Sequence, residues 1–177
     1  MTDSPAARPT AQPTAHPTTA QVLALHTATD TTVPEDHIDE NGHMNIGHYF
    51  SAASWAVWDL TTERVTGADY IARRGSSFFT VEHRIAYLGE LRLGERYSVH
   101  AALAGRTDKA LHGLALVLDR ERDRVACRME VVYLHVDMDA RRSSTMPDDV
   151  AARAGAEVAA HPWVADVATG LSLRRPS

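Results

Sequence analysis

The chain has 177 residues, 44% of them apolar and 23% charged, with a formal net charge of −5, proportions that suit one globular domain plus a tail. The acidic balance argues against general nucleic-acid binding, which needs a concentrated basic surface, and the single cysteine, Cys127, excludes an intrachain disulfide and a Cys-rich metal site. No apolar run of about 18 residues and no apolar signal segment occurs, so no membrane association is expected and a cytoplasmic location is the default.

Residues 1–20 are dominated by Pro, Thr and Ala. Such a segment offers too little apolar surface to offset its ordering entropy, and it is expected to be a disordered tail. Residues 21–147 read as the domain, and 148–177 as a C-terminal helix and tail. Within the domain, residues 22–33 alternate loosely as a first strand, which Pro34 ends. The polar stretch 36–44 contains the turn signal Asn41-Gly42, and Asn45 or a close neighbour caps a helix. Ile46, Tyr49, Phe50, Ala53, Val57 and Leu60 recur at intervals of three and four, drawing one apolar stripe, with Trp55 and Trp58 off its centre.

Residues 78–88 alternate as a strand, with Phe79, Val81, His83, Ile85 and Tyr87 on one face and Thr80, Glu82, Arg84 and Ala86 on the other. Residues 94–104, 111–118 and 125–136 follow as three more strands, separated by polar segments of hairpin-turn size. Residues 148–160 are Ala-rich and helical in character, Pro162 ends them, and 170–177 read as a loose basic tail. No internal repeat is present. The order strand, helix, four strands predicts an α+β fold: an antiparallel sheet of about five strands wrapped round one long central helix, the hotdog arrangement. Other α+β sandwiches fit the same pattern.

The chemistry concentrates in His37-Ile38-Asp39-Glu40-Asn41-Gly42-His43-Met44-Asn45. It combines a carboxylate, two histidines, a glycine turn and an asparagine beside a helix start. The N–H groups of a helix's first turn lack internal partners and carry the positive end of the dipole, so they can stabilise an oxyanion. A carboxylate outside that terminus can activate water or attack a carbonyl directly. His37, His43 and His48 are spaced too irregularly for a zinc site, and no metal is expected. Glu82 lies on a strand among apolar neighbours. Pointing inward it would bind a quaternary ammonium head; pointing outward it is a surface charge.

Asp39-x-x-Gly42-His43-Met44-Asn45-x-x-x-Tyr49 resembles the signature of hotdog acyl-CoA thioesterases related to 4-hydroxybenzoyl-CoA thioesterase. Residues 79–88 and Gly94-Glu95 sit where that family has its second strand and following turn, while residues 107–112, Met129-Glu130 and the segment from His135 to Arg142 look most like the betainyl-CoA thioesterase branch. The resemblance covers roughly 33–147. It implies hydrolysis of an acyl-CoA thioester, with a short or cationic acyl group such as betainyl. It also implies that Asp39 is the base or nucleophile, and that Gly42, His43 and Met44 present backbone amides to the thioester oxygen. Asn45 would orient substrate or water, Tyr49 would line the acyl pocket, and Arg141-Arg142 would meet the CoA phosphates. The site would lie between subunits of a homodimer or homotetramer, with coenzyme A entering only as part of the substrate and no cofactor. An acyl-carrier-protein thioesterase, a hotdog dehydratase and a non-catalytic acyl-CoA-binding protein remain as alternatives. A classical serine hydrolase is disfavoured because no G-x-S-x-G elbow occurs.

Overall fold

The structure, a computed structural model, describes residues 16–173. Most of the expected N-terminal tail and the last four residues therefore lie outside the described residues. The start of the described chain is already ordered by local chemistry. Thr18 caps the helical turn α1 (Thr19–Leu23), its hydroxyl accepting from the Gln21 N–H at 3.2 Å while the Gln21 side chain accepts from the Thr18 N–H at 2.9 Å. The strand read over 22–33 is accordingly shorter: β1 spans His26–Thr32.

The long helix α2 (Ile46–Leu60) is followed by a π-helical continuation over Thr61–Thr66 and a short α3 (Tyr70–Arg74). Four strands then run in succession: β2 (Ser76–Tyr87), β3 (Arg96–Arg106), β4 (Ala110–Asp119) and β5 (Arg124–Asp137). A two-residue β6 (Arg142–Ser143) pairs with β5. The antiparallel order is β1-β3-β4-β5-β2, curled round α2. This is the expected α+β hotdog arrangement of five principal strands and a central helix.

The buried stripe of α2 is Tyr49, Ala53, Ala56, Val57 and Leu60. Ile46 and Phe50 do not join it. Ile46 sits in the first turn, 61% exposed, and Phe50 turns sideways to meet His83 of β2 edge-to-face with ring centroids 5.0 Å apart. Gly113 lets the helix lie against the sheet. A Cβ built there presses into Val57 and comes within 3.0 Å of Val131. Beside α2, α4 (Asp148–Ala160) adds Val150 and Ala154 to the same core.

β2 departs from simple alternation. Thr80 pairs with Tyr133 and Glu82 with Val132, which leaves Val81 as an extra residue. The bulge inverts the faces, so Phe78 is the buried phenylalanine before it, whereas His83 and Ile85 are on the helix side after it. The outer face of the sheet is covered by the chain itself. Leu114, Leu116, Leu118 and Ala102 pack against Val22 and Leu25 from one end and against Val164 and Val167 of α5 (Val164–Val167) from the other.

Beneath that cover the buried Glu130 carboxylate accepts from His112 Nε2 at 3.1 Å, from the Gly170 N–H at 2.9 Å and from the Leu171 N–H at 2.9 Å. Burial pushes Glu130 up, but these donors outweigh it and hold the carboxyl below its ordinary value. The segment expected as a loose tail is thus fastened at 170–171.

Overfilling the helix–sheet contact gives a direct check on this packing. Gly113→Ala should destabilise the fold by about 1–3 kcal/mol. Calorimetry showing an unchanged melting temperature would mean that α2 does not sit this close to β4.

Candidate active site

The loop from His37 to Asn45 is closed on itself by backbone bonds. The Asp39 N–H donates to His43 O at 3.0 Å, the Gly42 N–H to Asp39 O at 2.9 Å, and the Asn45 N–H to His37 O at 2.8 Å. Gly42 adopts φ +77°, which a side chain would strain. The Asp39 carboxylate is half-buried and aimed by its neighbours. One oxygen accepts from the Asn41 N–H at 2.9 Å, and the other lies 3.5 Å from Asn45 Nδ2. Asn45 at the same time caps α2, its Oδ1 accepting from the Gly47 N–H at 2.9 Å.

The loop is moored to the segment after β2. The Met44 N–H donates to Leu91 O at 2.8 Å. The Tyr49 hydroxyl accepts from the Leu91 N–H at 2.8 Å and donates to Gly89 O at 3.3 Å. Burial pushes the Tyr49 phenol up to about 12, so it remains a donor. Tyr49 therefore fixes the site from below. His43 Nε2 lies 2.8 Å from Glu90 Oε2, tying the turn to the same segment.

Together Asp39, Asn41, His43, Met44, Ile46, Tyr49, Tyr87, Gly89 and Glu90 line a cleft of about 280 Å³ at the N-terminus of α2. Asp39, His43, Met44 and Tyr49 come together as the sequence suggests. The expectation that three turn amides face the site is modified: the Gly42 and Met44 N–H groups are engaged with Asp39 O and Leu91 O. Among the described residues, the His43 and Ile46 N–H groups at the turn and the start of α2, like the Glu90 N–H on the opposite wall, have no protein acceptor. They are the donors open to an incoming oxygen.

Three expected binding residues are not brought to this cleft within one chain. Glu82 is exposed on the outer face of β2, because the bulge at Val81 turns it away from the helix. Arg141 stacks over Phe79 at 5.3 Å, and Arg142 starts β6, both by the Ser76 end of β2. The cleft borders the Tyr87 end, roughly 35 Å away by strand rise. Sequence reading missed Tyr87 and Glu90 as cleft residues. Their link to the loop is a contact across more than forty positions, which no local pattern encodes.

The profile of the thioesterase-like superfamily matches residues 32–154. The chain belongs to this superfamily. Its similarity extends to the betainyl-CoA thioesterase of Pseudomonas aeruginosa, 32% identical over 143 residues, which covers 80% of this chain and 87% of that protein. It also extends to the L-carnitine dehydrogenase/betainyl-CoA thioesterase of Agrobacterium fabrum, 36% identical over 125 residues and 71% of this chain. There the chain spans about a quarter of the relative's length (25%). Among solved structures, a Staphylococcus aureus protein in complex with CoA superposes with a TM-score of 0.73 at 22% identity, covering 86% of this chain and 97% of that one. That likeness concerns the hotdog fold.

Other histidines of this superfamily member pair with groups away from the cleft or stack on one another. His135 Nε2 lies 2.9 Å from the Tyr70 hydroxyl, and its Nδ1 lies 3.1 Å from Ser144 O. His37 stacks on His48 with ring centroids 3.7 Å apart, and burial together with the neighbouring His48 holds His37 below its ordinary value. Among the described residues one cluster offers metal-ligand types, His26, Asp59 and Glu63. There the imidazole is already shared, with Nε2 2.8 Å from Asp59 and Nδ1 3.5 Å from Glu63.

Because the Tyr49 hydroxyl meets the otherwise buried Leu91 N–H, Tyr49→Phe should cost on the order of 2 kcal/mol. Thermal denaturation should record a fall of about 4–8 °C. A fall of under 1 °C would show that the mooring is dispensable.

Proposed function

We propose that the chain hydrolyses acyl-CoA thioesters, with Asp39 as general base or nucleophile. The observation that carries this reading is the convergence, in one cleft, of an aimed carboxylate and free N–H donors at the positive end of α2. A thioester carbonyl held by the His43 and Ile46 N–H groups is polarised toward the tetrahedral oxyanion. Asp39 either draws a proton from the attacking water or bonds to the carbonyl carbon itself. Collapse of the oxyanion breaks the C–S bond and releases the CoA thiolate, which takes up a proton; on the covalent route, water then hydrolyses the acyl–Asp39 anhydride, freeing the acid and restoring the carboxylate. The products are a free acid and CoA, and the reaction needs no cofactor beyond the CoA carried by its substrate. The betainyl-CoA thioesterase named among the relatives supports a short, cationic acyl group. The CoA-bound Staphylococcus aureus structure supports CoA as the carrier. A CoA-thioester substrate fits a cytoplasmic setting, and among the described residues no helix is long and apolar enough to cross a membrane.

The working unit is a homodimer. β2 is twelve residues long and lies at the edge of the sheet, pairing only with β5 among the described strands. Such an edge is a template for another strand. Val81 on it is 55% exposed, and Leu88 just beyond it is exposed too. The outer sheet face, by contrast, is sealed by α1 and α5, which leaves it unsuited to stacking on a second sheet. Antiparallel pairing of two β2 edges about a twofold axis sets the Tyr87 end of one strand by the Ser76 end of the other. The partner's Arg141 and Arg142 then approach this chain's cleft, where their guanidinium groups suit CoA phosphates.

Asp39→Asn keeps the shape of the side chain and should lower thiol release from a panel of acyl-CoAs by about a hundredfold or more. Turnover equal to wild type would remove Asp39 from the reaction. Val81→Lys with Leu88→Lys should convert the dimer to monomer in analytical ultracentrifugation and abolish most activity. A wild-type chain that sediments as a monomer at micromolar concentration would rule out the shared site.

A further inference from the structure

A second recess, of about 230 Å³, opens on the flank of α2 and is lined by Ser54, Trp55, Trp58, Thr80 and Tyr133. Its walls are aromatic. Trp58 and Tyr133 meet edge-to-face with centroids 6.3 Å apart, and Trp55 stands 68% exposed at the mouth. No carboxylate lines it. Burial pushes the Tyr133 phenol well above its ordinary value, so the ring stays neutral and its face electron-rich. Two indoles and a phenol converging on one small space are poorly explained as packing, because a large exposed indole gains nothing from water.

An aromatic recess without a counter-charge favours a weakly hydrated cation, since the ring faces attract positive charge while the walls offer only the neutral hydroxyls of Ser54, Thr80 and Tyr133 to replace the water shell of a strongly hydrated ammonium. We propose that the Trp55–Trp58–Tyr133 recess binds the quaternary ammonium group of the acyl chain, and that it serves the Asp39 cleft of the partner subunit. The proposal deepens the thioesterase reading above and rests on it.

Geometry sets the subunit arrangement. Ser54 lies nine residues beyond the α2 cap, roughly 13 Å along the helix axis. Thr80 and Tyr87, which line the recess and the cleft respectively, are seven residues apart on β2, roughly 23 Å. In a trimethylammonioacetyl thioester the cation is a single methylene from the carbonyl, so the two pockets of one chain cannot hold one substrate. Thr80, however, is on the edge strand, and an antiparallel register that sets it opposite Tyr87 of a second β2 is part of the proposal. There the partner's cleft end comes alongside. Glu82 is then unnecessary for recognition of the cation, in keeping with its outward position.

The test compares betainyl-CoA with 3,3-dimethylbutyryl-CoA, which replaces the nitrogen by carbon and keeps the shape. Wild type should favour the cationic substrate in kcat/KM by about tenfold. Trp58→Leu, and the surface variant Trp55→Leu, which cannot disturb the core, should lower kcat/KM for the cation about tenfold more than for the neutral ester. Trp58→Phe, which retains a ring face, should restore most of the preference. Equal losses for both substrates, as a site for adenine or pantetheine would give, would overturn the proposal. So would a wild type without preference.

Tryptophan fluorescence titration of the Asp39→Asn protein reads the same discrimination as Kd without turnover. A cation preference in binding together with no hydrolysis of any acyl-CoA would defeat the thioesterase reading while sparing the recess. Hydrolysis of neutral acyl-CoAs alone does the reverse. Finally, mixed dimers of one Asp39→Asn chain and one Trp58→Leu chain contain one complete site only if the recess acts across subunits. Their preference for the cation should match wild type, and a lost preference would overturn the cross-subunit placement.

Discussion

The site depends on one mooring. The Tyr49 hydroxyl, carried on the second turn of α2, meets the backbone of Gly89 and Leu91, and the Met44 N–H meets Leu91 O. These bonds fix where the helix begins relative to the end of β2. Everything chemical follows from that: the direction of Asp39, the open His43 and Ile46 amides, and the wall formed by Tyr87 and Glu90. A loop with this many polar backbone groups would otherwise be a poor place to hold a carboxylate still. Here nearly all of its donors are spent inward, and the few left over mark the cleft.

The same economy explains how the surface is divided. The concave face of the sheet is filled by α2 and α4, and the outer face by α1 and α5. The β2 edge and the adjoining helix flank stay uncovered, with Phe50, Trp55, Val81, Tyr87 and Leu88 exposed there. Apolar surface of this size on one side of a small domain favours burial against a second copy. The bulge at Val81 belongs to this arrangement, since it turns His83 and Ile85 inward and presents Glu82 to solvent.

The central helix was legible from its apolar period, and its start from Asn45. The strand succession was legible from alternation and polar turns. The Asp39 loop was legible because its residue types are unusual together at that spacing. Other features were not. The inversion of Phe78 and Phe79 depends on one extra residue in β2, and period-two reading has no means of seeing a bulge. Ile46 and Phe50 fit the helical stripe in number but lie at its end and flank, where tertiary contacts decide. Tyr87, Glu90 and the Trp55–Trp58–Tyr133 recess arise from pairings across 40 to 80 positions. The capped turn at Thr18 and the fastening of Gly170 were hidden by low-complexity surroundings.

The buried Glu130 carries a consequence for how the protein is made. Its carboxylate accepts from amides at Gly170 and Leu171, and the leucine-rich outer strip of β4 is covered by Val164 and Val167. While those residues are still inside the ribosome, the emerged sheet has an unshielded greasy back and an acid short of two donors. Folding therefore cannot finish cotranslationally until the latch leaves the exit tunnel.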